Sequence, residues 1–319
     1  MTVIPCFSKQ GKGHGYSKST RIKHPMQDQL AAAYLESLRG RILNHPGGFA
    51  GKNGGDYRAD ATAWAVVALN ALGREADFLE AAQARLAAGQ LADGRVILSP
   101  QHPDAFWPTP LAVFAWHKNP EYREAQARGC HFLLTTTGLH RPRQPDSPSQ
   151  HDPALKGWPW IADTHSWVEP TALAVMALRV AGYGEHERVK EGTRLLLDRQ
   201  LPGGGWNYGN TKVFGQELFP FPESTGIALN ALGGVVPQGQ IQKSLDYLKS
   251  RLREVRTPLA LSWGLMGLAS WREAPPAALS WIAECLGRQR RYGPYDTACL
   301  SLLAVASRAP RGLANIFLD

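Results

Sequence analysis

The sequence predicts an all-α protein in which six inner and six outer helices close into a single (α/α)6 toroid. Three observations carry this expectation. One apolar helical phrase, opened by an acid or a threonine, occurs six times. These apolar helices alternate with amphipathic ones along the chain, and no stretch has the two-residue period of a strand. A helix that is apolar on nearly every face must be buried on nearly every face, whereas an amphipathic one needs cover on one side only. Two concentric layers satisfy both kinds. Closing them into a ring gives every unit two neighbours. An open superhelix is the alternative, and the polar capping repeats it needs are scarce here.

Residues 1–25 contain Lys9, Lys12, Lys18, Arg21 and Lys23 and no acid, so they hold five of the net charge of +8. They read as a flexible basic extension ahead of a toroid domain over 26–319. Leu30, Ala33, Tyr34 and Leu38 then mark an amphipathic helix over 27–41. After a glycine-rich link comes the first apolar phrase, Asp60-Ala-Thr-Ala-Trp-Ala-Val-Val-Ala-Leu, which stops at Gly73. An outer helix over 76–91 leads to Thr109-Pro-Leu-Ala-Val-Phe-Ala-Trp, and another follows over 120–135.

The loop 138–167 is rich in proline, histidine and tryptophan, and a loop of that length in a compact domain is usually functional or disordered. It delivers the chain into the central phrase, His165-Ser-Trp-Val-Glu-Pro-Thr-Ala-Leu-Ala-Val-Met. Here Glu169 and Thr171 suit a helix N-terminus, Pro170 suits the first turn and Gly182 the stop. An outer helix over 187–200, the turn Pro202-Gly-Gly-Gly-Trp-Asn-Tyr and an aromatic loop precede Glu223-Ser-Thr-Gly-Ile-Ala-Leu. Outer segments over 238–252 and 276–287 flank Thr257-Pro-Leu-Ala-Leu, and the last phrase is Asp296-Thr-Ala-Cys-Leu-Ser-Leu.

Composition narrows the function classes. No apolar run approaches the ~20 residues needed to span a bilayer, and residues 1–25 lack the apolar core of a signal peptide, so a cytoplasmic location is expected. Outside the leader there is no basic patch interleaved with aromatics, which argues against a nucleic-acid partner. Cys6, Cys130, Cys285 and Cys299 lack the short paired spacings of a zinc or redox motif and read as free thiols.

The acid-x-Thr-Ala helix starts, together with Gln200-Leu-Pro-Gly-Gly-Gly-Trp206 and the weaker Gly47-Gly-Phe49, resemble the repeats of squalene–hopene cyclases and of protein prenyltransferase β-subunits. The resemblance runs from residue 27 onward and implies one toroid with a deep aromatic central cavity. It also implies an isoprenoid-like hydrophobic substrate, with membrane association an open question. In such cyclases the starting acid lies in Asp-x-Asp-Asp-Thr-Ala. The matching segment, Arg58-Ala-Asp-Ala-Thr-Ala63, keeps only the middle acid, so Asp60 is the candidate donor. The prenyltransferase zinc pair Asp-x-Cys has only Asp296-Thr-Ala-Cys299 to match it, one residue too long. Cys130-His131 lacks the glycine neighbours of the lanthionine-cyclase pair, and no Asp-Asp-x-x-Asp segment is present. No metal and no cofactor is expected.

The candidate catalytic residues are therefore Asp60, His165, Glu169 and Glu223, which a toroid gathers at one mouth where paired carboxylates do acid–base work. Trp107, Trp160, Trp167, Tyr208, Phe219, Tyr295 and Asp296 lie just before or at inner-helix starts and are the candidate substrate-binding set, aromatic faces being able to stabilise a carbocation. Stacked sugars use the same residue types. The favoured reading is acid-initiated cyclisation or isomerisation of an isoprenoid. A glycan-active hydrolase or lyase and a non-catalytic lipid- or peptide-binding ring are the alternatives.

Overall fold

The helices appear where apolar periodicity places them and stop where glycine or proline interrupts it. The computed structural model describes residues 25–44, 47–73, 77–144, 151–213 and 215–318. In chain order the helices are α1 (Pro25–Arg39), α2 (Ala59–Ala71), α3 (Asp77–Ala88), α4 (Pro108–Trp116), α5 (Arg123–Thr135), α6 (Val168–Val180) and α7 (Glu187–Asp198). They continue with α8 (Pro222–Leu232), α9 (Gln242–Arg251), α10 (Pro258–Ala269), α11 (Ala278–Gly287), the short α12 (Gln289–Tyr292), α13 (Thr297–Ala306) and the short α14 (Asn315–Leu318). A two-residue antiparallel hairpin, β1 (Lys212–Val213) with β2 (Gln216–Glu217), is too short to leave a strand period in the sequence. The expected basic extension lies outside the described residues, apart from Pro25, which begins α1.

The ring is closed. Contacts run α2–α4–α6–α8–α10–α13 and from α13 back to α2, so the chain is an (α/α)6 toroid with these six helices inside. The outer helix of the last unit is α1, from the other end of the chain. Tyr34 on α1 meets Ser301 on α13 at 3.0 Å, and Gln27 Nε2 donates to the Ser307 carbonyl at 2.8 Å. Helix α1 ends two residues earlier than the sequence suggests. Arg41 turns inward instead, and its guanidinium donates to the Tyr295 carbonyl (2.7 Å) and to Thr297 Oγ1 (3.2 Å).

The repeated threonines do not cap their helices. The N-cap residues of α2, α6 and α8 are Arg58, Trp167 and Phe221, and none makes a side-chain capping bond. In four of the six phrases the threonine hydroxyl instead grips the backbone arriving from the outer helix. Thr62 accepts from Phe49 N–H (2.9 Å), Thr109 from Val96 (2.9 Å), Thr171 from Trp158 (3.0 Å) and Thr225 from Trp206 (2.9 Å). Those amides are buried and need a partner, which explains why one residue type recurs at one place in these four phrases. Trp158 and Trp206 are fully buried wedges between layers; their indoles donate to the carbonyls of Leu133 (2.8 Å) and Leu196 (2.6 Å). Gly205, with φ +84°, makes the turn before Trp206.

The middle of the ring is filled. Helices α8 and α10 approach so closely that a Cβ on Gly226 would stand 2.4 Å from the Trp263 carbonyl oxygen. Trp64 of α2 and Trp263 of α10 meet edge to face with centroids 5.7 Å apart, and both are buried. Because α13 stands between α2 and α10 in the ring, the two indoles meet inside it. Two cavities lie towards the mouths of the ring.

Candidate functional site

The first turns of neighbouring inner helices touch, which places all their N-termini at one mouth. Ser224, in the first turn of α8, donates its hydroxyl to Glu169 Oε1 in the first turn of α6 at 2.9 Å. The loops that feed these helices are tied together as well. Val168 N–H donates to the Tyr208 carbonyl (2.9 Å), Ala162 N–H to Asp104 (3.0 Å), and Trp107 packs edge to face on Trp160 at 5.6 Å. Arg188 secures the base of the long loop. It donates to the carbonyls of Lys156 (2.8 Å), Thr136 (3.0 Å) and Gly157 (3.3 Å), and its guanidinium lies over the Trp158 ring at 4.3 Å.

The acids at this mouth have different surroundings. Glu169 is half-buried, and burial pushes its carboxyl above the usual range; the Ser224 hydrogen bond works against that rise and the charge of Glu223 adds to it. Glu223 is the matching second residue of α8 and is also half-buried. Asp60 is buried, and Arg58 engages both of its oxygens, Nε to Oδ1 at 2.9 Å and Nη2 to Oδ2 at 2.6 Å. That hydrogen bond also raises Arg58 above its ordinary value. A proton on Asp60 can reach a substrate only after the Arg58 fork opens. Asp296 is an exposed N-cap whose Oδ1 accepts from Cys299 N–H at 2.7 Å.

The aromatic candidates separate in the same way. Tyr208, 50% exposed, packs against Phe221 at 5.1 Å, and Phe219 is 83% exposed, so these rings stand free at the rim. Trp107, Trp160 and Trp167 are half-buried in the loop wall. Tyr295 turns away: its hydroxyl donates to the Cys285 carbonyl on outer helix α11 at 2.9 Å, making it a tether of that helix. His165 is exposed and belongs, with His140 and His151, to a cavity of about 470 Å3 next to Trp167, not to the carboxylate pair. Of the large apolar side chains exposed among the described residues, all but Val235 lie in the connections to inner helices or in their first turns: Leu139, Ile161, Tyr208, Val213 of the short hairpin, Phe219, Phe221, Leu259 and Tyr292 at the end of α12.

Sequence reasoning missed Ser224 and Arg58 as partners. Ser224 sits inside the repeated phrase between Glu223 and Thr225, and Arg58 replaces an expected acid, so each had a visible signal. The opposite mouth gave none. There a cavity of about 1150 Å3 is lined by Asn70, His117, Leu265 and Ala306 among others, with the C-terminal segment entering it. Phe317 stacks on Phe114 at 5.1 Å and 15°, and Leu313 N–H donates to Asn230 Oδ1 at 3.1 Å. Among the described residues no group of three or more His, Cys, Asp or Glu side chains is placed to hold a metal, and no helix is long and apolar enough to cross a membrane.

No protein-family model and no curated protein sequence matches the chain. Solved structures do match it in fold. The type II terpene cyclase MstE from Scytonema in its apo form is 14% identical with a TM-score of 0.58, covering 91% of this chain and 98% of that one. An MstE variant in complex with geranylgeranyl dihydroxybenzoate is 16% identical with a TM-score of 0.56, over 92% and 99%. An inactive variant of the α-1,6-mannanase GH76A of Salegentibacter sp. HEL1_6, in complex with α-1,6-mannotetrose, is 12% identical with a TM-score of 0.60, over 91% and 99%. The likeness is one of fold. One toroid serves a prenylated substrate in the first case and a glycan in the other, so the choice for this chain rests on its own residues.

Proposed function

We propose that the N-terminal mouth is an acid–base site acting on an isoprenoid or similar lipid-like substrate, with Glu169 as the proton donor. The observation that carries this is a half-buried carboxyl, raised by its surroundings, set inside a rim of exposed apolar side chains. Raising the carboxyl keeps it protonated over a wider pH range, which a donor needs. The apolar rim offers cover for a hydrocarbon chain. An isomerisation or cyclisation started by Glu169 consumes no proton overall: the one added to the substrate is matched by one lost at the end, which Glu223, whose charge reaches Glu169, takes up and returns to the Glu169 carboxylate. The rim aromatics Tyr208, Phe219 and Phe221 supply faces for a transient cation. Asp60, in this reading, holds Arg58 and shapes the wall.

A second reading is a glycan-active enzyme. It is favoured by two carboxylates in adjacent first turns beside the exposed Tyr208–Phe221 pair, since such pairs serve glycoside cleavage and such rings stack on sugars. Product analysis by mass spectrometry separates the two. The protein is incubated with linear isoprenoids and, in parallel, with oligosaccharides, beside Glu169→Gln and Asp60→Asn controls. A rearranged isoprenoid made by the Asp60→Asn protein and absent with Glu169→Gln supports the proposal. Turnover of oligosaccharides alone sinks it. Loss of isoprenoid turnover only in Asp60→Asn returns the donor role to Asp60.

A further inference from the structure

Beside the carboxylate pair lies a cavity of the opposite electrostatic character. It occupies about 470 Å3 between residues 139–141, 151–155 and 165–167 on one side and 209–213 on the other, and its wall includes Arg141, Arg199, Lys212, His140, His151 and His165. No acidic side chain lines it among the described residues. Arg199 is buried and fixed in place by Asp198 and by the Asp152 carbonyl at 3.3 Å. Asp198 in turn accepts from Asp152 N–H at 2.9 Å. Among the described residues neither Arg141 nor Lys212 pairs with a carboxylate. Burial first, then the charge of Arg199, with Arg141 adding to it, pushes His151 down to about 4, against the opposing pull of Asp198 and Asp152.

We propose that this cavity binds a phosphate-type oxyanion. Arginine forks match the oxygens of a phosphate, and lysine adds a point charge from the other wall. Leu139 and Val213 line the same cavity and are exposed, which suits an anion carried on an apolar chain. His165 then serves as a hydrogen-bond donor to that group, outside the proton-transfer pair. The same chemistry is offered by free phosphate and by the headgroup of a lipid-like substrate; only the second source rests on the function proposed above.

The test is calorimetric titration of the full chain with inorganic phosphate and with diphosphate at neutral pH, repeated on Arg141→Gln, Lys212→Gln and the double variant. Arg141 is exposed and Lys212 half-buried, so an unchanged Tm separates loss of ligand from loss of fold. Each single change is expected to weaken binding about tenfold, and the double change to remove it. Ligand saturation is also expected to raise the NMR titration midpoint of His151 from about 4. Sedimentation with phosphatidic acid vesicles, against phosphatidylcholine vesicles, identifies the source. Vesicle binding lost in the double variant, without inorganic phosphate binding, assigns the site to a headgroup; binding of inorganic phosphate alone assigns it to the free ion. Absence of binding to every probe at millimolar ligand, or binding that the double variant leaves intact, overturns the proposal. Glu169→Gln retains phosphate binding whatever happens to turnover, so the two readings fail separately.

Discussion

The two mouths of the ring are built from the same six helices and differ in what enters them. At the N-terminal mouth the connections are long, as in 136–167 and 199–221, and they bring exposed aromatics, histidines and arginines to first turns that carry Glu169, Glu223 and Asp60. At the C-terminal mouth the connections between inner and outer helices are short, and the segment carrying Leu313 and Phe317 packs into the opening and walls one side of the cavity there. Helix polarity accounts for part of the contrast. Six aligned N-termini expose N–H groups and a partial positive charge that favour carboxylates and anions. The C-terminal carbonyls are met by donors such as Arg179, which reaches Ala231 (2.8 Å) and Gly233 (3.1 Å). One toroid thus presents two differently built ends.

That contrast can be broken by changing one residue at each mouth. Glu169→Gln is expected to lower turnover by about 10²–10⁴-fold, the usual worth of a positioned acid, while circular dichroism stays unchanged. Phe317→Ala should do the reverse, costing ~3–5 kcal/mol in chemical denaturation and leaving turnover per folded molecule within about twofold. If Phe317→Ala removes activity from folded protein, the C-terminal mouth is functional after all.

Smaller effects sharpen the picture at the N-terminal side. Thr225→Val leaves the buried Trp206 N–H without its 2.9 Å acceptor and is expected to cost about 1–3 kcal/mol; the same change at the exposed Thr257, which makes no side-chain capping bond, serves as control. Asp296→Ala removes the cap on Cys299 N–H, for ~1 kcal/mol and no loss of turnover.

The pH dependence has a definite sign. The folded chain holds the Glu169 proton above the ordinary carboxyl value of 4.5, so the unfolded chain releases it first as pH rises. Stability from this group is complete below that value and is lost as pH climbs through the raised one. The Tm of Glu169→Gln should therefore match wild type near pH 4, exceed it increasingly as pH climbs to the raised value, and hold a steady difference above it. A constant difference across the range would mean that Glu169 is not held protonated.

Much of this was legible in the residues. The six apolar phrases announced six inner helices because a helix buried on every face must be apolar on every face, and alternation with amphipathic segments announced the outer layer. Glu169 and Glu223 were visible as acids at helix starts, but their inequality was not: only the fold puts the Ser224 hydroxyl on one of them. The repeated threonine was conspicuous and its task was not, because the amides it holds lie 13 residues back in three of the phrases and 19 back in the fourth. Tyr295 and Asp296 stand before an inner helix like the other candidates, yet one ties down an outer helix and the other is a cap.

By itself, then, the amino-acid order determined the helical class, the two layers and the mouth at which acids and aromatics collect, since periodicity and capping chemistry act over a turn or two of chain. Tertiary structure alone decided that Trp64 and Trp263 meet inside the ring, that Arg58 occupies both oxygens of Asp60, and that Phe317 packs on Phe114 at one mouth. Those outcomes depend on distances between helices that are far apart in sequence, and side-chain packing fixes such distances only when the ring has closed.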